Sequence, residues 1–400
     1  MKKLMILGGS CYAIPVIEAA HKLGVYVITC DYLPNNIAHK YSDQYCNVSI
    51  IEKEAVLKVA KELQIDGIMS FACDPGVVTA AYVAENMGLP SVGSYESVSI
   101  LQNKARFRKF LRNNGFNVPK TYSYNTVEDA LKDKDSIEYP VIVKPVDSAG
   151  SKGVTRVDSA EELPVAVKHA FDFSFGKQII IEDYIEKVDC SSDTDCFSIN
   201  GRLVFVSFNS QRFDEFSSNP YTPSAFSWPS TLPSEVEREL TNEIQRVISL
   251  LNLGSSIYNV ETRLSTNGKP YIMEISPRGG GNRLAECLRY ATGVDLIDGA
   301  VKAALGMPIE QFVPKTYSGY WIEIILHSNK KGCFRELYLS NMVVPFVVEK
   351  DLWVKEGDRI DCFSAANNSI GTLILHCDTA EEMNNIFDCL NENVKILVGD

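Results

Sequence analysis

Residues 256–278, SSIYNVETRLSTNGKPYIMEISPR, constrain this chain more than any other stretch. Two alternating runs flank Asn267-Gly268, and Asn-Gly between such runs signals a two-residue hairpin turn. If Thr266 faces Lys269, counting outward sets Glu261 opposite Glu274, Asn259 opposite Ser276 and Arg263 opposite Ile272. Side chains alternate along a strand, so these residues share one face. Val260, Thr262, Met273 and Ile275 take the other, core-facing side. Two carboxylates directly opposite each other repel and cost stability unless a cation sits between them. Hard divalent cations take oxygen ligands, and Mg2+ is typically held by one or two carboxylates plus substrate phosphates. The competing reading is a solvated hairpin face whose glutamates splay apart.

Composition narrows the partners. The chain has 400 residues, enough for about two to three domains, with 45% hydrophobic and 22% charged residues. A formal charge of -12 argues against a general role on nucleic acid or an anionic membrane. The N-terminus, MKKLMILGGS, reads as a strand rather than a signal peptide, and no apolar run approaches the ~20 residues of a membrane span. The 11 cysteines are scattered without a CxxC pair, and the 5 histidines do not cluster, so no zinc site is expected. Such cysteines suit reduced core thiols of a cytoplasmic protein.

The first hundred residues alternate strand and helix. Lys3–Leu7, Val25–Cys30 and Gly67–Phe71 read as strands; stretches near residues 14–23, 52–63 and 76–87 read as helices. This predicts a doubly wound parallel sheet. Gly8-Gly9-Ser10 with Asp31 is half of a dinucleotide fingerprint, which Gly9, Cys11 and Ala13 break. Ser10, Asp31 and Asp74 fall at strand ends, where open sheets bind ligands, although the same residue types make ordinary turns. Asn103–Asn114 reads as a helix with a basic, solvated face bearing Lys104, Arg106, Arg108, Lys109 and Arg112.

In YPVIVKPVDSAGSKGVTRV, a strand delivers Lys144, and Asp147–Gly153 follows as a loop of small residues before a second strand. Such a loop can lay backbone N–H groups over phosphates, and Lys144 adds a point charge. It is not a Walker loop; the competing reading is a mobile hairpin tip. Capping boxes at Ser159–Glu162, Ser234–Glu237 and Thr379–Glu382 predict helix starts. Asn200-Gly201 predicts a second hairpin. Residues 209–233 show no periodicity and carry Phe213, Phe216, Tyr221, Phe226 and Trp228, which suggests a substrate lid. Gly279–Asn282 leads into a helix and is a potential anion site. From about Tyr317 the chain turns β-rich. No Gly-x-Ser-x-Gly elbow is present.

Lys144-Pro145, the loop Ser148–Gly153, Glu182–Ile185, Glu261 and Met273–Arg278 together resemble the ATP-grasp carboxylate ligases. That family includes the large subunit of carbamoyl phosphate synthetase, biotin carboxylase, purine-pathway enzymes and amino-acid ligases. The resemblance implies a mixed α/β and α+β fold: a Rossmann-like domain over 1–102, an ATP-grasp domain over 103–315 (small lobe 103–182, large lobe 183–315) and a β-rich domain over 316–400. It implies that Lys104 and Lys144 contact ATP phosphates under the loop of Ser148, Gly150, Ser151 and Gly153. Glu182, Tyr184 and Ile185 meet adenine, and Asp189 or Asp193 meets ribose. Glu261, Glu274 and Ser276 hold Mg2+, two ions or Mn2+ in its place, and Arg278 and Lys144 serve the transferring phosphoryl group. The family often has Asn where this chain has Ser276. The implied activity is a cytoplasmic, ATP-dependent ligase of small-molecule carboxylates and amines, as a homodimer or monomer. Rivals are a bicarbonate-activating carboxylase, a nicotinamide-dependent oxidoreductase using the first domain, and a catalytically silent ATP-binding protein.

Overall fold

Apolar runs at the start of the chain bury both faces of a parallel sheet, as such runs do when helices cover both sides. In a computed structural model describing residues 1–399, β1 (Lys3–Leu7), β2 (Tyr26–Asp31), β3 (Gln44–Asn47) and β4 (Gly67–Ser70) pair in parallel in the order β3-β2-β1-β4. Leu4 and Ile6 pack toward helix Ile14–Lys22 and Met5 and Leu7 toward helices Lys53–Leu63 and Asp74–Met87.

A second sheet is antiparallel: β5 (Thr121–Tyr124), β6 (Val141–Pro145), β7 (Thr155–Val157) and β8 (Ile179–Asp183), ordered β5-β8-β6-β7. Helix Leu163–Phe173 covers it through Leu163, Ala166, Val167 and Ala170. A third contains β9 (Ser192–Ile199), β10 (Arg202–Phe205), β13 (Ser256–Leu264) and β14 (Pro270–Ser276), ordered β10-β9-β13-β14. Helix Ser234–Leu250 and Phe107 and Leu111 of helix Lys104–Asn113 close its back.

Residues 209–233 are not a lid. They hold β11 (Ser210–Phe213) and β12 (Pro223–Trp228), which join β15 (Tyr320–Leu326), β17 (Val347–Leu352) and β19 (Gly371–Cys377) in one sheet, ordered β11-β12-β15-β19-β17. Five of the six β12 residues are buried, including Phe226 and Trp228. A strand covered on both faces shows no period of two, which is why the sequence concealed it. Residues 214–222 remain a loop between the two strands, and 229–233 a short connection to the next helix. Three strands of the β-rich tail therefore share this sheet with the preceding region. A small sheet of β16 (Gly332–Leu339), β18 (Arg359–Ile360) and β20 (Val394–Gly399) completes the chain. Among the described residues no helix is long and apolar enough to cross a membrane.

The hairpin that set the expectation contains two irregularities. Asn200 and Gly201 both have positive φ (50° and 78°), giving the two-residue turn expected of Asn-Gly. At the second Asn-Gly, Gly268 has φ 78° while Asn267 is not in the left-handed region, and Leu264 pairs with Pro270 around a longer turn. Thr266 cannot face Lys269, because its N–H donates to the Glu186 carbonyl (3.0 Å). Nearer the base, Met273 bulges: Glu261 pairs with Glu274, but Thr262 pairs with Ile272 and Arg263 with Tyr271. The two offsets cancel. Glu261–Glu274 and Asn259–Ser276 are paired as read, while the expected Arg263–Ile272 pair is not formed. Met273 leaves the core face and packs with Ile185 and Tyr271; Ile272 takes the core position beside Val260 and Ile275.

Candidate active site

The carboxylate pair belongs to a longer row. Asp193 on β9 is in register with Glu261 on β13, which is in register with Glu274 on β14. Three acidic side chains thus stand side by side across adjacent strands, where like charges repel. Two residues along lies a second row of Asp195, Asn259 and Ser276. Asn259 Nδ2 donates to Asp193 Oδ1 (2.8 Å) and Asp195 Oδ1 (3.3 Å). Burial, and then the charge of Glu261, push the Asp193 carboxyl up to about 8. Glu274 meets Lys104 Nζ at 3.2 Å, and Glu261 meets Arg263 Nη2 at 3.5 Å. Among the described residues no three His, Cys, Asp or Glu side chains cage a metal by themselves. The donor set nevertheless fits Mg2+, whose usual protein ligands are one or two carboxylates completed by water and phosphate oxygens.

Ser276 does not stand in the carboxylate row. It is 1% exposed, its hydroxyl donates to Asp74 Oδ1 (2.8 Å), and it accepts from Gln102 Nε2 (2.7 Å). Arg278 is likewise engaged. Its Nε and Nη2 grip Asp74 at 2.9 and 2.7 Å, and Nη1 donates to the Gly279 carbonyl. Asp74 opens helix Asp74–Met87 at the C-terminal end of β4, so the first sheet reaches the hairpin through this pair.

Cations gather opposite the carboxylates. Lys104 Nζ also donates to the Ser148 carbonyl (3.1 Å). Lys144, delivered by β6, meets Glu182 Oε1 at 2.5 Å. Arg108 completes a buried triad, with Nε and Nη2 on the two Glu182 oxygens (2.8 and 3.3 Å) and Nη1 on the Met273 carbonyl (2.7 Å). Burial alone would raise Glu182; the charges of Arg108 and Lys144 outweigh it and hold the carboxyl at about 2. Burial lowers Lys144 against the pull of Glu182. The Glu182 side chain is therefore saturated and offers adenine nothing free. Lys104, Ser148 and Glu274, with Asp74, Gln102 and Asp147, line a cavity of about 170 Å3.

The small-residue loop bends tightly. Gly150, Ser151 and Gly153 have φ of 66°, 59° and 72°, and a Cβ on Gly153 would lie 2.9 Å from Phe173 Cβ and Pro145 Cγ. Ser148 Oγ donates to the Phe173 carbonyl (2.8 Å) and Ser151 Oγ to the Tyr221 carbonyl (2.8 Å). Asn219 Nδ2 donates to both Ser151 O (3.1 Å) and Ser364 O (3.0 Å), so the loop is latched to 214–222 and to the β-rich tail. Beside the triad, Ile185, Tyr271 and Met273 form an apolar patch, and the Arg156 guanidinium lies 4.3 Å from the Tyr184 ring centre. Asp189 is exposed in a left-handed turn before β9 (φ 52°) and accepts from Cys190 Sγ (3.6 Å); it is not gathered with the others.

The expectation of a solvated basic face over Asn103–Asn114 fails at Arg108, which is buried. Lys104, Phe107, Arg108 and Leu111 recur at i, i+3, i+4 and i+7, which puts Arg108 on the buried stripe. The Asp193 row had a signal too: the Asn200-Gly201 hairpin fixes which way β9 residues face.

Residues 101–282 match the ATP-grasp domain family, and the chain carries an ATP-grasp domain. A curated relative is the carbamoyl phosphate synthase large chain of Thermoanaerobacter sp. (strain X514), 29% identical over 280 residues, which cover 68% of this chain and 24% of the relative. The match thus spans about a quarter of that protein. Among solved structures, L-amino acid ligase from Bacillus licheniformis superposes with a TM-score of 0.83 at 21% identity, covering 100% of this chain and 99% of that one. Phosphoribosylglycinamide synthetase from Anaerococcus prevotii gives 0.76 at 20% identity, covering 100% of both.

Proposed function

We propose that this protein is an ATP- and Mg2+-dependent ligase that activates a carboxylate as an acyl phosphate and couples it to an amine. The observation that carries the reading is the Asp193–Glu261–Glu274 row, whose end member Glu274 meets Lys104 and with it lines a cavity edged by the small-residue loop. Glu261 and Glu274 hold the metal in this reading, with Asp193 a more suitable neighbour than the engaged Ser276. Mg2+ supplies charge neutralisation on the phosphate oxygens. Lys104 and Lys144 bind phosphate oxygens, and N–H groups of Ser148–Gly153 close over them. Arg278 releases one contact with Asp74 to stabilise charge on the acyl phosphate. Ile185, Tyr184 and the Tyr271–Met273 patch take the adenine. The latched loop excludes water, which would otherwise hydrolyse the intermediate. In this reading, 1–102 is a Rossmann-like region presenting substrate, 103–315 the ATP-grasp region, and 316–400 the tail that completes the enclosure.

The test is a screen of acid and amine pairs for substrate-dependent ADP formation with Mg2+. ADP formed only when both partners are present supports coupling; a requirement for bicarbonate instead of an amine shifts the chemistry to carboxylation. Absence of both nucleotide binding and turnover overturns the proposal.

A further inference from the structure

The cavity beside Lys104 has two kinds of wall. One is the polar set already described, with Lys104 and Glu274 among its members. The other is apolar: Ile51, Pro75, Val78, Ala149 and Phe175. Phosphate oxygens and Mg2+ gain nothing from hydrocarbon, since both seek charge and polar ligands. The patch assigned to adenine lies elsewhere, because Ile185, Tyr271 and Met273 form their own cluster and none of them lines this cavity. The apolar wall therefore serves neither end of a nucleotide.

That wall is assembled from remote parts of the chain. Ile51 follows β3, Pro75 and Val78 belong to helix Asp74–Met87, and Ala149 and Phe175 come from two loops of the second sheet. Ile51 is 52% exposed and Phe175 70% exposed. Single exposed apolar side chains are ordinary, but these two are brought to one cavity across more than a hundred residues of sequence. Phe175 is also fixed in place. Asp147 Oδ1 accepts from the Phe175 N–H (3.2 Å) and the Ser174 hydroxyl (3.0 Å), and Oδ2 from the Gly176 N–H (2.6 Å). The acids on the wall are all engaged: Asp147 with this turn, Asp74 with Arg278 and the Ser276 hydroxyl, Glu274 with Lys104. An ammonium group finds no unengaged carboxylate here. A carboxylate does find a cation, because Lys104 has three donors and its partners, Glu274 and the Ser148 carbonyl, take two.

We infer that the carboxylate substrate is a small acid with an apolar side chain, its hydrocarbon seated between Ile51, Val78 and Phe175 and its carboxylate on Lys104. The cavity of about 170 Å3 holds about six groups of water size at ~30 Å3 each, so the acid is short. The reaction of that acid rests on the ligase function proposed above; its binding does not.

The test is isothermal titration calorimetry on the full chain with 3-methylbutanoate, in one arm alone and in another with MgADP. Glycerate is the polar acid control and 3-methyl-1-butanol the control without a carboxylate. 3-Methylbutanoate is expected to bind about ten-fold more tightly than either. Phe175→Ala and Ile51→Ala change exposed side chains that the core does not need. Each is expected to weaken 3-methylbutanoate about ten-fold and to leave the affinity for MgADP unchanged. Equal binding of glycerate or of the alcohol overturns the assignment, as does an unchanged affinity for 3-methylbutanoate in both variants. A loss of MgADP affinity in both variants also overturns it, because the wall would then belong to the nucleotide. Binding of 3-methylbutanoate without any binding of MgADP keeps the apolar pocket and removes the ligase reading. Binding of MgADP with no binding of 3-methylbutanoate in either arm removes the pocket alone.

Discussion

Glu182, Arg108 and Lys144 share a pocket sealed from water, and removing one member leaves the others charged and unpaired. Such a loss costs about 3–5 kcal/mol. Glu182→Gln should therefore lower stability by that order above pH 4.5. The unfolded carboxyl titrates near ~4.3 and the native one at about 2. The stabilisation is complete above the unfolded value and is lost as pH falls toward the native one. Urea titrations of both proteins between pH 6 and pH 2 should show the gap closing in acid; a constant gap would remove the triad from the account. At the carboxylate row, Glu274→Gln should abolish Mg2+-dependent ADP release, with unchanged circular dichroism. Full turnover in that variant would sink the metal assignment.

At the scale of elements, the turn and strand chemistry was legible where local rules act alone. Thr379 does cap its helix, with Glu382 returning the contact. Ser159 and Ser234 do not: those helices are preceded by Glu162 and Pro233, neither of which makes a side-chain cap. In the first case Glu162 instead accepts from the Asp158 N–H. The carboxylate pairing was read correctly although its turn was not, because the Met273 bulge restored the register. Neither irregularity has a residue-level signature; each depends on Glu186 and on the packing of Tyr271 and Met273 around Ile185. The Ser148–Gly153 loop was recognisable by composition, but its latch was not, since Asn219 and Ser364 are remote in sequence. Asn219→Ala should free that loop. Limited proteolysis is expected to cut within 148–153 faster than in wild type, and MgADP should restore protection. An unchanged cutting rate would mean the latch contributes little.

At the scale of the molecule, the change of character at about Tyr317 marked a compositional boundary that is not a packing boundary. β12 lends one edge to β15, and Phe226, Trp228 and Ile325 lie in one cluster with the helices around the first sheet. A fragment ending at residue 315 would lose three strands of the five and expose the β12 edge, an invitation to aggregation. That fragment should be insoluble or melt without a cooperative transition, as size-exclusion chromatography and calorimetry would show. A monomeric fragment with a sharp melt would make the tail a separate folding unit.

The cancelling offsets of the β13–β14 hairpin give the protein a mechanical fuse. Residues 266–269 are exposed, and between them and the carboxylates lies a bulge able to take up a change in turn length. Length variation at the tip is thereby uncoupled from the alignment of Glu261 with Glu274. The tip becomes a natural place to splice in a reporter peptide, read out by a dye or an antibody, while the acidic row stays where it is.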